Sequence, residues 1–243
     1  MKAALSPGII GISILLSTLL LSNAYTYKFR STESISVTGM AETNFSSDLI
    51  VWNGNYSRKS MDLKTAYAML KQDEQKIRTY LKGKGLADNA IVYSAVTINK
   101  DFNYRFDAEG RQIGADFTGY NLTQYVTVQS TEIDKVELIS REVTELIESG
   151  VELNSAAPSY YYTKLADLKL DLLAKAAEDA RNRASTIAKN SGSGLGTMRK
   201  ANMGVFQITA ENSNEDYSYG GVFNTTSRKK TASITMKVEY EIN

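Results

Sequence analysis

The run Thr231-Ala232-Ser233-Ile234-Thr235-Met236-Lys237-Val238-Glu239-Tyr240-Glu241-Ile242 alternates without a break. Ala232, Ile234, Met236, Val238, Tyr240 and Ile242 fall on one side. Thr231, Ser233, Thr235, Lys237, Glu239 and Glu241 fall on the other. The period of two predicts a strand with one face in a core and one in water, which is the habit of antiparallel sheets. Residues 198–209 predict its partner across a polar, glycine-containing loop.

Working back from this pair, residues 164–190 predict the longest helix. Leu165, Leu168, Leu172, Ala176, Ala180, Ala184, Ile187 and Ala188 form its inner side, and the alanines allow close packing. Residues 191–196 are glycine-rich and stop it. Residues 151–162 predict a strand. Before them, Thr131-Glu132-Ile133-Asp134 offers a threonine cap with an acid three residues on. It opens a helix striped by Val136, Ile139, Val143 and Leu146 and ended by Gly150.

Residues 91–106 and 115–129 predict two long strands joined through Asp107-Ala108-Glu109-Gly110. The second shows Tyr120, Leu122, Val126 and Val128 in alternation. Residues 60–82 predict a helix with Leu63, Ala66, Leu70, Ile77 and Leu81 inward and Lys64, Lys71, Gln75 and Lys82 outward; Ser60 is its expected cap, Gly83 and Gly85 its expected stop. Residues 34–42 and 48–56 predict two further strands, expected to pair or to neighbour each other in one sheet. The order β-β-α-β-β-α-β-α-β-β is that of an α+β fold, with largely antiparallel sheets and amphipathic helices on one side. These elements fill an expected domain over residues 31–243, with two sub-lobes dividing near Thr131.

Residues 1–30 have another character. Ile9 to Leu21 carries no charge, Lys2 precedes it, and Tyr25, Tyr27, Lys28 and Arg30 follow. The segment predicts export. Ser22-Asn23-Ala24 suits signal-peptidase cleavage after Ala24, whereas the stretch from Pro7 to Tyr27 is long enough to stay in a bilayer as an anchor. Both readings put the rest of the chain on the periplasmic side of the envelope.

Composition excludes several chemistries. The 243 residues contain no His and no Cys. This removes Ser-His-Asp and Cys-His nucleophile systems, disulfides, and zinc sites built on imidazole or thiolate. Lys and Arg number 28 against 27 Asp and Glu, without the basic excess expected of a nucleic-acid binder.

Four strings in order carry a resemblance. They are Ile35-Ser36-Val37-Thr38-Gly39-Met40-Ala41-Glu42, Ala176-Ala177-Glu178-Asp179-Ala180-Arg181-Asn182-Arg183-Ala184, Gly192-Ser193-Gly194-Leu195-Gly196, and Ile234-Thr235-Met236-Lys237-Val238. In order and spacing, from Ser34 to Ile242, the chain resembles the SIMPL-domain family of exported bacterial envelope proteins. That resemblance implies a SIMPL-like α+β fold, a periplasmic or envelope location, a link to stress resistance, and homo-oligomers. It carries over no catalytic, cofactor-binding or metal-binding residue. The chain departs from the family at Trp52-Asn53-Gly54-Asn55 and in a strand hairpin rich in Tyr and Phe, which suits an anchored subgroup.

Other constellations read as structure. Gly192-x-Gly194-x-Gly196 ends a helix, where a dinucleotide loop would begin one. The loop Glu211-Asn212-Ser213-Asn214-Glu215-Asp216 lacks the spacing and turn glycine of a calcium loop. Glu178-Asp179 and Asp167 with Asp171 read as the wet face of a helix, and Arg228-Lys229-Lys230 as a guard on a strand edge. The sequons at Asn44, Asn55 and Asn121 carry no weight in a bacterial protein. Tyr160-Tyr161-Tyr162 with Phe102, Tyr104 and Phe106 could form an aromatic oligomer interface or simply core. The expectation is therefore a non-enzymatic, self-associating envelope protein without cofactor or nucleic acid; the alternative is a membrane-tethered periplasmic module that binds a peptide, glycan or lipid in a pocket lined by Tyr and Trp52.

Overall fold

The structure is a computed structural model that describes residues 2–29 and 33–242. Its elements run α1 Lys2–Phe29, β1 Ser34–Ser46, β2 Leu49–Ser60, α2 Leu63–Gly83, β3 Ile91–Tyr93, β4 Thr97–Phe106, β5 Gln112–Ser130 and α3 Ile133–Glu142. A 3-10 turn Val143–Ser149 follows, then β6 Leu153–Ser155, β7 Ser159–Tyr161, α4 Leu165–Asn190, β8 Leu195–Met203, β9 Gln207–Ala210 and β10 Lys229–Ile242. The fold is α+β, and its recorded strand registers are antiparallel.

In α1, residues 8–26 form an apolar span of 19 residues, none of it buried in protein. It is long enough to cross a bilayer, and Ala24 lies within it. The side chains of Lys2, Tyr27 and Lys28, and the whole of Arg30, expected at the membrane faces, lie outside the described residues.

The polypeptide divides into two compact units. The first comprises residues 1–41, 174–204 and 235–243. Here β10 lies between β1 and β8, with Val238 opposite Ala201 and Met236 opposite Met203. Val37, Val238 and Tyr240 pack on Ala180 and Ala184 of α4. The small side chains let helix and sheet approach so closely that a Cβ on Gly39 would lie 2.5 Å from the Ala180 nitrogen. The Met40 N–H donates to Asp179 Oδ2 at 2.8 Å, locking that approach. Ala176 and Ala188 are buried as expected, but Ile187 is half exposed, because it lies beyond the stripe that meets the strands.

The second unit comprises residues 42–173 and 205–234. Its sheet runs β3-β5-β2-β6, with β4 also on β5 and β7 also on β2. Ile50, Trp52 and Tyr56 of β2 and Leu122, Val126 and Val128 of β5 meet Ala66, Leu70, Ile77 and Leu81 of α2 and Val136 and Ile139 of α3. Gly150 ends the 3-10 turn with φ 76°, as its expected stop requires.

Several local expectations are corrected. β1 and β2 do not pair: β1 joins β10, and β2 joins β5. Between them Asp48 is claimed elsewhere, its carboxylate accepting from the Thr163 N–H and hydroxyl at 2.7 Å each, which swings β2 towards β7. The cap of α2 is Asp62, which accepts from the Thr65 N–H at 2.7 Å, and not Ser60. At α3 Thr131 does not cap, and among the described residues no other side chain does; Ser130 accepts from the Glu132 N–H at 3.0 Å in the turn before the helix. Three expected strands are split in two, at residues 94–96, 156–158 and 204–206. In the first gap Ser94 Oγ and the Gln124 side chain take up backbone groups that a continuous ladder would use; in the second stands Pro158, which has no N–H to donate.

Candidate functional site

β5 is longer than the sheet that holds it. Its half from Tyr120 to Ser130 pairs with β2, the last matched residues being Ser60 and Tyr120. Below Tyr120 its remaining partner is β4, so residues 101–119 leave the sheet as a two-stranded hairpin, while residues 97–100 lie beside the part of β5 that β2 also holds. Burial stops at the same point: β4 has no buried residue, while the buried residues of β5, Gly119, Leu122, Gln124, Val126 and Val128, all lie from Gly119 onward. A Cβ on Gly119 (φ 129°) would sit 2.8 Å from the Ser60 carbonyl oxygen, so glycine is required where β2 ends.

The hairpin is apolar although it faces water. Ile98, Phe102, Tyr104, Phe106 and Ile113 are exposed, Ile113 to 64%. The aromatic rings stack along one face: Phe102 on Phe117 with centroids 5.7 Å apart, Phe117 on Tyr120 at 5.1 Å. On the other face Asp101 pairs with Lys59 at 2.9 Å and Arg105 with Asp116 at 2.9 Å. The turn is rigid, since Asp107 accepts from the Glu109 and Arg111 N–H groups and from the Arg111 guanidinium. Those backbone and side-chain donors hold its carboxyl below the usual carboxylate range.

The register shifts at Asp101/Phe102 and Arg105/Phe106, where the extra residues are Thr118 and Ile113. Both bulges therefore lie on β5. β4 runs evenly, and among the described residues no strand pairs with its outer edge. An even, unpaired edge with apolar side chains is a template for another strand.

Residues 35–241 match the SIMPL family, described as a protein of unknown function (DUF541). The chain belongs to the SIMPL family. No curated protein matches it at a significant level.

In this SIMPL chain the other sequence constellations serve the framework. Gly192 closes α4 at φ 74°, with the Gly192 and Ser193 N–H groups bonded back to Lys189 and Ala188. Asp179 is held by the Met40 N–H and by Arg183, which together lower its pKa. Glu178, Asp167 and Asp171 lie exposed on α4. Glu215 accepts from the Ala210 N–H and from Asn224, Glu211 from Asn44. Among the described residues no three acids converge as a metal site.

Trp52 lines no pocket: it is fully buried, its indole N–H donating to Ser155 Oγ at 2.9 Å. Tyr160, Tyr161 and Tyr162 are half-buried. Tyr160 and Tyr161 lie opposite Ile50 and Leu49 of β2, with β2 and β5 between them and β4, and Tyr162 stacks on Phe45 at 4.9 Å. They do not join Phe102, Tyr104 and Phe106.

The basic triplet is no edge guard. β10 is flanked on both sides, Arg228 pairs with Asp134 and Glu137, and Lys230 is buried with its ammonium on the Asn224 carbonyl. Sequence reasoning also missed Asp101 and Arg105. Their signal was present in Asp101-Phe102-Asn103-Tyr104-Arg105, whose character reads the same from either end with the charge reversed.

Proposed function

We propose that this SIMPL protein is a non-enzymatic component of the cell envelope, carried to the periplasmic side by residues 1–30, that works by associating with itself through the β4–β5 hairpin. One observation carries the reading: a two-stranded ribbon with an even free edge projects beyond its sheet while exposing Phe102, Tyr104, Phe106 and Ile113. Such ribbons are marginal alone and gain stability from a further strand, and apolar clusters of this kind on a surface mark contact sites.

The charge of the ribbon disfavours an anionic membrane as its partner. Asp101, Asp107, Glu109 and Asp116 outnumber Lys100, Arg105 and Arg111, where a lipid-facing segment would show a basic excess. Light scattering on the full chain in detergent, between sub-micromolar and tens of micromolar, tests the reading. A mass that rises with concentration supports it, and one chain per particle throughout refutes it. Mass spectrometry of the N-terminus from membranes and from soluble periplasm separates an anchor from cleavage after Ala24.

A second reading, a tethered binding module, is favoured by a cleft of ≈ 630 Å³ where α3 begins, lined by Asp48, Thr131, Asp134, Arg228 and Ser47. Ser47 Oγ is buried without a hydrogen-bond partner, and a ligand hydroxyl or carbonyl would supply one. Thermal shifts with peptide, glycan and lipid panels check it. Stabilisation that is lost in Ser47→Ala supports the module, and no stabilisation by any class removes it.

A further inference from the structure

The self-association proposed above leaves open how two copies meet, and β4 supplies the register. We propose that β4 of one copy pairs antiparallel with β4 of a second, with Asn103 opposite Asn103 on a two-fold axis. This deepens the preceding reading and rests on it.

The argument compares the ways in which the strand can meet itself. With the axis on Asn103, Asp101 faces Arg105 of the other copy on both sides of the axis, and Phe102 faces Tyr104 twice. Opposite charges and aromatic pairs placed directly across strands both stabilise a sheet. A two-fold axis must fall on a residue, because opposed residues of an antiparallel pair share a face and an axis between two residues would put them on opposite faces. An axis on Asp101 or on Arg105 sets like charge against like, and one on Tyr104 opposes Asp101 to Asp107. An axis on Phe102 leaves Asp101 against Asn103 and brings no charges together. An axis on Lys100 sets ammonium against ammonium, and of the axes that fall on a β4 residue the Asn103 axis is the one that opposes unlike charges lying within the strand.

The existing contacts extend this register. Asp101 already holds Lys59 and Arg105 already holds Asp116. The joined strands would therefore show Lys59, Asp101, Arg105 and Asp116 as a row of alternating sign on one face. On the other face, the stack of Phe102 on Phe117 would continue onto Tyr104 of the second copy. Because both bulges lie on β5, the outer edge of β4 keeps the regular spacing that backbone pairing needs. Two marginal ribbons become one four-stranded antiparallel sheet with two-fold symmetry.

The chain has no cysteine, so one introduced thiol reports the axis cleanly. In the full chain in detergent, Asn103→Cys is expected to form a disulfide dimer under mild oxidation, and Asn99→Cys, four residues along the strand, is not. Asp101→Arg is expected to lower the dimer fraction about tenfold, and Asp101→Arg with Arg105→Asp to restore it. If light scattering shows oligomers while Asn103→Cys does not crosslink and the charge exchange does not rescue, the register is overturned and self-association stands. If the chain is monomeric throughout, both fall. A fluorophore on the Asn103→Cys thiol that shifts to the blue with lipid vesicles, without dimers, would assign the edge to a membrane and overturn the proposal.

Discussion

Arg58 holds Asp73 through two parallel hydrogen bonds, Nε to Oδ2 at 2.5 Å and Nη2 to Oδ1 at 3.0 Å, and the Asp73 side chain is only 4% exposed. The guanidinium also donates to the Gly150 carbonyl, so it ties β2 to α2 and to the end of the 3-10 turn. The bond to Asp73 raises the pKa of the Arg58 guanidinium.

Removing the guanidinium strands a buried carboxylate. Arg58→Met is expected to destabilise the second unit by about 3 kcal/mol, the lower part of the range for breaking a buried pair, since Arg58 is partly exposed. Urea titration followed by the fluorescence of Trp52 checks it, because the chain has one tryptophan and it lies in that unit's core. An unchanged midpoint would show that the pair is not needed.

Gly39→Val acts in the other unit. A Cβ there would lie 2.5 Å from the Ala180 nitrogen and 2.8 Å from its Cβ, and backbone atoms cannot move aside as a side-chain tip can. Overpacking of this kind costs about 2 to 3 kcal/mol. Calorimetry is expected to show a lower melting temperature, with the Trp52 transition in urea unchanged.

Burial pushes the Lys230 ammonium down to about 8, against the pull of the Glu215 carboxylate. An unfolded lysine titrates near about 10.4. Between these values the unfolded chain binds the extra proton, so stability rises with pH across this window. The contribution is complete above the unfolded pKa and is lost as pH falls through about 8. Tyr93 and Tyr160, pushed up to about 12 by desolvation, act oppositely only above about pH 10. Urea midpoints at pH 7.5, 9 and 10 are expected to climb in the native chain and to climb less in Lys230→Met.

Phe106→Ser separates surface from core. The ring is 60% exposed, so the variant is expected to keep its stability within about 0.5 kcal/mol while losing association in light scattering. Lost stability with unchanged association would mean that the ring supports only its own hairpin.

Much of the fold was legible because periods of two and of 3.6 survive folding. The alternation of residues 231–242 and the alanine stripe of α4 appear in the structure nearly as written. What failed was what depends on distant partners. Adjacent strands were expected to pair, but Thr163 claims Asp48. Lys230 falls by alternation on the inward face of Ala232, but its charge made it read as an edge guard; Gln207, Glu215 and Asn224 fasten the loop from residue 211 to 227, and Lys230 is buried against Asn224. The aromatic content of the hairpin was plain. Its exposure was not, since no period in residues 101–117 reveals that β2 stops at Ser60 and leaves β5 below Tyr120 without a second neighbour.

The placement of β10 bears on how the polypeptide matures. In the first unit it is the middle strand, yet it is translated after both β1 and β8. Until residues 235–242 emerge, those two strands lack their common neighbour, and the alanine face of α4 has only half its bed. The nascent protein therefore carries an open seam from β1 until β10 is made, a period in which unpaired edges invite wrong pairing. Loss of residues 231–242 alone would leave that seam permanently unsealed.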